Sequence, residues 1–204
     1  MYTLYHSPGA CSLAVKAALI LTGAEFKTQL IDLSKGEHLS EEYKKIHPLS
    51  KVPALDTGEF ILTEGMAMHL YLADQYPEAG LFPQSGRERA EAFRWMSYIY
   101  ASVHPLFGLF FYPDRFSSNP DSTKAKAKEL VFSHMAEVQK RLEKHDFLAG
   151  NSLSAADLYL TVQLHWALAI SGDFLETHNT LAAFVKRIYD HPSVGVLYQE
   201  EFAR

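Results

Sequence analysis

The chain has 204 residues and a formal charge of −5, with 48% apolar and 21% charged residues. That length suits one to two domains with a sizeable core, and the balance is that of an ordinary soluble globular protein. A net acidic chain is a poor general phosphate binder, which argues against nucleic acid as a partner. A lone cysteine, Cys11, excludes an internal disulfide framework and any metal site that needs two thiolates.

Residues 2–6 alternate as a strand, with Tyr2, Leu4 and His6 on one face and Thr3 and Tyr5 on the other. Ser7-Pro8-Gly9 breaks it, and the Ala- and Leu-rich stretch 11–22 is a buried helix closed by Gly23. The same stretch makes a poor leader. No basic residue precedes it, Lys16 interrupts it, and Glu25 and Lys27 end it short of the roughly 20 apolar residues a membrane span needs. The expectation is a soluble, cytoplasmic chain with no membrane partner. Residues 26–32 form a second strand, 33–37 a charged loop, and Ser40 caps a short helix reaching Ile46. Val52-Pro53-Ala54-Leu55 and Phe60-Ile61-Leu62 flank Thr57-Gly58, a hairpin signal, and Thr63 caps a helix to about Tyr76. The order is β-α-β-α-β-β-α.

Residues 76–86 read as a linker, after which strand signals mostly vanish. Helical patterns follow at 87–111, 123–144, 154–170, 181–190 and 193–201. The alternating Lys and Glu of the second are a solvated face. The expected domains are 1–77, of α/β type, and 87–204, all-α, joined by 78–86. Ser154-Ala155-Ala156-Asp157 opens one of these helices as a capping box, with Leu153 and Leu158 spaced as a hydrophobic staple. Asp157 is read as structural.

Three short stretches can carry chemistry. Ser7-Pro8-Gly9-Ala10-Cys11-Ser12 joins a strand to a helix, where unpaired amides and the helix dipole lower a thiol pKa and favour a bound anion. Alternatively, Cys11 is a small buried apolar residue. Val52-Pro53 precedes a strand. A cis bond there would turn the Val52 backbone outward for an extended peptide, and a trans bond would make it an ordinary turn proline. Thr63-Glu64-Gly65 opens a helix, either as a plain cap or as an anion site whose acid accepts from an ammonium group. A ligand with a thiol, a peptide backbone and an α-amino acid end satisfies all three, and glutathione is such a molecule. The histidines show no metal-ligand spacing, so no metal is expected.

These stretches, with His47-Pro48-Leu49-Ser50-Lys51 before Val52-Pro53, resemble the cytosolic glutathione transferases and most of all their bacterial beta class. The resemblance implies a thioredoxin-like N-terminal domain, an all-helical C-terminal domain and a homodimer. It places the family's cis-proline at Pro53 and gives Val52 the cysteinyl backbone of glutathione. The γ-glutamyl end falls to Glu64 and the Gly65 amide, and the glycyl carboxylate to Lys35. Cys11 matches the cysteine near the glutathione sulfur. Tyr5 and Ser12 match hydroxyls that activate or reach that sulfur. The chain departs from the family pattern at Gly65, usually serine, at His47-Pro48-Leu49-Ser50, usually Asn-Pro-x-Gly, and at Ala10, a serine in related proteins.

The resemblance also places an electrophile pocket between the domains, lined by His104, Phe107, Phe111, Tyr159 and Trp166, with His104 as a donor to sulfur or an orienter of water. The other reading is that aromatic residues at helical spacing are core. The implied activity is conjugation of the glutathione thiolate to small hydrophobic electrophiles, a detoxifying transferase with glutathione as co-substrate. Two alternatives remain: a glutathione-dependent thiol–disulfide oxidoreductase or peroxidase using Cys11, and a non-catalytic binding protein of the same fold.

Overall fold

The computed structural model describes residues 1–202. They form two compact units, residues 1–84 with 188–202, and residues 85–187. Residues 188–202 thus group with the α/β unit, although their sequence pattern continues the helical series.

In the first unit, β1 (Tyr2–His6), β2 (Phe26–Leu30), β3 (Ala54–Asp56) and β4 (Ile61–Thr63) form one sheet in the order β2-β1-β3-β4. β1 and β2 run parallel, in register Leu4 to Thr28, and so need a crossover, which is α1 (Ser12–Thr22). β1–β3 and β3–β4 are antiparallel. α1 buries Leu13, Ala14, Val15, Ala17, Ala18 and Leu19, and Gly23 closes it in the left-handed conformation that residues with a Cβ rarely adopt. α2 is the single turn Glu41–Lys44, capped by Ser40 Oγ, which accepts the Tyr43 N–H. α3 (Gly65–Gln75) packs against α1 and buries Met68, His69 and Leu72. Its N-cap is Glu64, not the expected Thr63, which ends β4.

The second unit contains α4 (Gly86–Tyr98), α5 (His104–Phe111), α6 (Pro120–Leu142) and α7 (Ala155–Ile170). α8 spans Asn179–Tyr189 and α9 spans Gly195–Phe202. The single helix expected over 87–111 is interrupted by a π-helical turn at Ile99–Val103. The cause is Pro105, which has no N–H for the regular ladder and whose ring crowds the preceding turn. His104 follows that turn directly.

α7 is buried along ten consecutive residues, Ala155 to Leu164. Its capping box is formed as the sequence predicts. The Asp157 carboxylate accepts the Ser154 N–H (2.8 Å), the Ser154 hydroxyl (2.7 Å) and the Leu148 N–H (2.7 Å). Burial pushes the Asp157 carboxyl up to about 6 against the pull of those donors. Among the described residues no helix is long and apolar enough to cross a membrane.

Removing this carboxylate strands the buried Leu148 and Ser154 donors. Asp157→Ala should destabilise the chain by about 2–4 kcal/mol, read as a lower urea midpoint, and Ser154→Ala by about 1–2 kcal/mol. An unchanged midpoint in Asp157→Ala would refute the structural role.

Candidate active site

The loop between β1 and α1 is held by buried groups on either side. His6 Nδ1 lies 2.8 Å from Ser12 Oγ, and both residues are buried. The other ring nitrogen of His6 faces Glu201 Oε1 at 3.6 Å, and the same oxygen accepts the Gly9 N–H at 2.7 Å. Glu201 lies in α9, within the first unit. Burial acts to raise its carboxyl, but His6, the Gly9 N–H and Lys16 together hold it below the usual range.

Above this network Cys11 occupies the residue before α1 in helical conformation. Its thiol donates to the Val52 carbonyl at 3.5 Å, and the Val52–Pro53 bond is cis. The structure thereby brings together Cys11 and the Val-Pro pair, 41 residues apart in sequence. Among the described residues nothing bonds the Val52 N–H. Lys51 and Glu64 both act electrostatically on the thiol, and both also act on the buried His47 imidazole. Glu64 is exposed and holds φ at +68°, a sterically costly value for a residue with a Cβ. Its side chain makes no capping bond to α3, whose first residue is Gly65.

The electrostatics of Cys11 differ from the sequence expectation. Desolvation pushes the thiol up to about 12, although the Cys11 and Ser12 amides and the Lys51 ammonium pull it down. The helix start is present, but desolvation around this partly exposed residue outweighs it and favours the neutral thiol.

Three other expected residues sit apart from this cluster. Ser12 is fully buried, with its hydroxyl occupied by His6 and accepting the Ser7 N–H at 3.3 Å. Tyr5 lies on the opposite sheet face from His6 and meets Tyr43 edge-on at 5.9 Å. Burial and then Asp56 raise its phenol above the ordinary value. Lys35 is exposed, and its ammonium lies 3.1 Å from Asp32. Sequence reasoning passed over Lys51, His47 and Glu201. The last is 190 residues from Cys11 in sequence, and no local signal marks it.

In the second unit, His104 Nδ1 is hydrogen-bonded to the Tyr159 hydroxyl. The Tyr159 ring stacks on Tyr100 at 3.9 Å, and Trp166 meets His104 at 5.0 Å and Phe107 at 5.4 Å. Phe107 and Tyr159 are wholly buried, which gives them a core role in this unit, whereas Phe111 is 38% exposed. His104 and Trp166 keep part of their surface. Among the described residues no group of three or more His, Cys, Asp or Glu side chains could hold a metal ion.

A thiol raised this far predicts slow alkylation. With iodoacetamide in the absence of other ligands, the rate at Cys11 should climb about tenfold per pH unit without levelling below about pH 10. A plateau with a midpoint at about pH 7 would contradict the burial of the sulfur.

The match to known proteins agrees with this arrangement. Residues 1–74 match the glutathione S-transferase N-terminal domain, and residues 92–192 match the C-terminal domain of the same family. Glutathione S-transferase GstA of Escherichia coli O157:H7 is 33% identical over 195 residues, covering 94% of each chain. The beta class enzyme of Sphingomonas chungbukensis superposes with a TM-score of 0.85 at 36% identity over 98% of each chain. A glutathione transferase homolog from Sulfitobacter, solved with bound glutathione, gives 0.91 at 25% identity over 99% of each chain. With both domains matched in order and along most of its length, the chain belongs to the glutathione S-transferase family.

Proposed function

We propose that the protein conjugates the glutathione thiolate to small hydrophobic electrophiles. The observation that carries this reading is the convergence of Cys11, Val52 and Glu64 at one end of the sheet. The glutathione bound in the Sulfitobacter relative supports the same ligand. Glu64 accepts from the γ-glutamyl ammonium, and the Gly65 amide, at the positive end of α3, donates to its carboxylate. The Val52 N–H and carbonyl pair with the cysteinyl backbone, and the cation for the glycyl carboxylate is Lys35 once released from Asp32.

The sulfur then lies beside Cys11. A neutral thiol is a hydrogen-bond donor, so on binding Cys11 exchanges the Val52 carbonyl for the glutathione sulfur and stabilises it as an anion. One pKa unit of such stabilisation corresponds to about 1.4 kcal/mol. The raised Cys11 pKa favours this donor role over attack by Cys11 on a disulfide, which requires its thiolate. Ser12 and Tyr5, engaged with His6 and Tyr43, have no direct part in this reading. In the second unit His104, Trp166 and Phe111 keep part of their surface, and Phe107 and Tyr159 are buried. The step joins the glutathione sulfur to an electrophilic carbon. The displaced group leaves with its bonding electrons, and the thiol proton passes to solvent. Beta-class membership, homodimeric assembly, a cytoplasmic location and a detoxifying role belong to the same proposal.

Two variants test it. Glu64→Ala should raise the KM for glutathione about 10- to 100-fold with a smaller effect on kcat, since a charge-assisted bond to the ligand is lost. Cys11→Ala should keep aryl-halide conjugation within about tenfold of wild type while alkylation by iodoacetamide disappears. Failure of wild type to bind immobilised glutathione, or abolition of conjugation in Cys11→Ala, would overturn the assignment.

A further inference from the structure

The first unit buries a histidine where an apolar residue would suffice. His69 lies in α3 with none of its surface exposed, and its Nε2 has no hydrogen-bond partner among the described residues. The other ring nitrogen, Nδ1, donates to the Gly65 carbonyl at 2.7 Å. A carbonyl only accepts, so this bond places the ring proton on Nδ1 and leaves Nε2 a bare acceptor. The Ala14 carbonyl of α1 also acts on the ring, but two acceptors cannot pair. Burial pushes the imidazole down to about 4 against the pull of the Gly65 and Ala14 carbonyls. A buried acceptor without a partner is destabilising, and a leucine would pack between α3 and α1 without that cost.

What sets His69 apart is the carbonyl it binds. His165 and His178 make the same contact four residues back, with the carbonyls of Thr161 and Phe174, each at 2.7 Å. Both keep part of their surface, and neither carbonyl belongs to the first residue of a helix. Gly65 is the first residue of α3 and follows Glu64, whose φ is +68°. Glycine has the widest backbone freedom of any residue, and a first-turn N–H has no partner within its own helix. Two peptide planes meet at Gly65. The plane that carries its N–H is tied through the Glu64 carbonyl, which accepts the Met68 N–H at 3.1 Å. The next plane is tied through the Gly65 carbonyl, where the bond from the His69 ring joins the regular helical bond from the His69 N–H. A wholly buried ring has little freedom to leave, so this second tie is stiff.

We infer that His69 is a positioning residue for the γ-glutamyl end of glutathione: its Nδ1–H fixes the Gly65 carbonyl and so sets the direction of the Gly65 N–H before the ligand arrives. The inference rests on the placement of glutathione proposed above and deepens it. With the ring bond in place, the first turn of α3 meets the ligand carboxylate already ordered, and binding loses less conformational freedom. Without it the ligand itself must order Gly65, which weakens binding and leaves the later carbon–sulfur step unchanged. His69 is wholly buried and acts through Gly65 alone.

The test measures the KM for glutathione, kcat and the thermal midpoint in wild type, His69→Leu, His69→Phe and His69→Asn, with 1-chloro-2,4-dinitrobenzene at saturation. The leucine and phenylalanine variants remove the donor, whereas the asparagine variant returns an amide N–H to the place of Nδ1. The two apolar variants should raise the KM for glutathione about tenfold with kcat within about twofold of wild type. The asparagine variant should bring KM back to within about threefold of wild type. A role in core packing alone would lower the thermal midpoint in all three variants and leave the KM for glutathione unmoved. An unchanged KM in the apolar variants, a fall in kcat as large as the rise in KM, or an equal rise in the asparagine variant overturns the role of His69 and leaves conjugation standing. Failure of both apolar variants to fold makes His69 a core residue and overturns that role as well. A wild type that neither binds immobilised glutathione nor conjugates it overturns the conjugation reading and this inference with it.

Discussion

The loop carrying the lone thiol depends on a buried carboxylate near the far end of the chain. Glu201 accepts the Gly9 N–H and faces His6, which in turn meets Ser12 at the first residue of α1. A buried carboxylate without partners would be strongly destabilising, so these contacts are obligatory rather than decorative. They hold the backbone on both sides of Cys11, at Gly9 and at Ser12. They also require α9 to begin close to the end of α8. Gly195 makes that possible, because a Cβ there would collide with the backbone carbonyl of Tyr189.

That rigid loop sets the chemistry of the thiol. A helix terminus contributes about 0.3–1 kcal/mol to an anion, less than one pKa unit, whereas desolvation of a buried group reaches 3–5 units. The larger effect wins at Cys11, and its sulfur is a donor to Val52 rather than a thiolate. The strained Glu64 shows the complementary case. A costly backbone angle is retained at the exposed acid that precedes α3.

Much of this was legible in the sequence because its causes are local. Strand alternation over 2–6, the Gly23 stop, the Thr57-Gly58 hairpin and the Ser154–Asp157 box each follow from residues a few positions apart. The structure divides between residues 84 and 85, and residues after 187 return to the first unit. What sequence reasoning missed depends on distant contacts or on competing magnitudes. Pro105 was visible, but the π turn it imposes on an otherwise continuous apolar pattern was not. The inward turn of Ser12 depends on His6, and the grouping of 188–202 with the first unit is matched by the Glu201 contacts. For Cys11 the sequence offers both a helix dipole that lowers the thiol and a small buried residue, and only packing shows that desolvation dominates.

The mechanism depends on which sulfur is the anion. Ultraviolet titration of thiolate absorbance, with and without glutathione, addresses that most directly. Wild-type protein alone should show no thiolate signal between about pH 6 and pH 9, and glutathione should introduce one whose midpoint lies below that of free glutathione. In Cys11→Ala the glutathione signal should persist with its midpoint raised by about one unit. A thiolate signal near neutral pH in wild-type protein without glutathione, absent from Cys11→Ala, would contradict the donor role of Cys11.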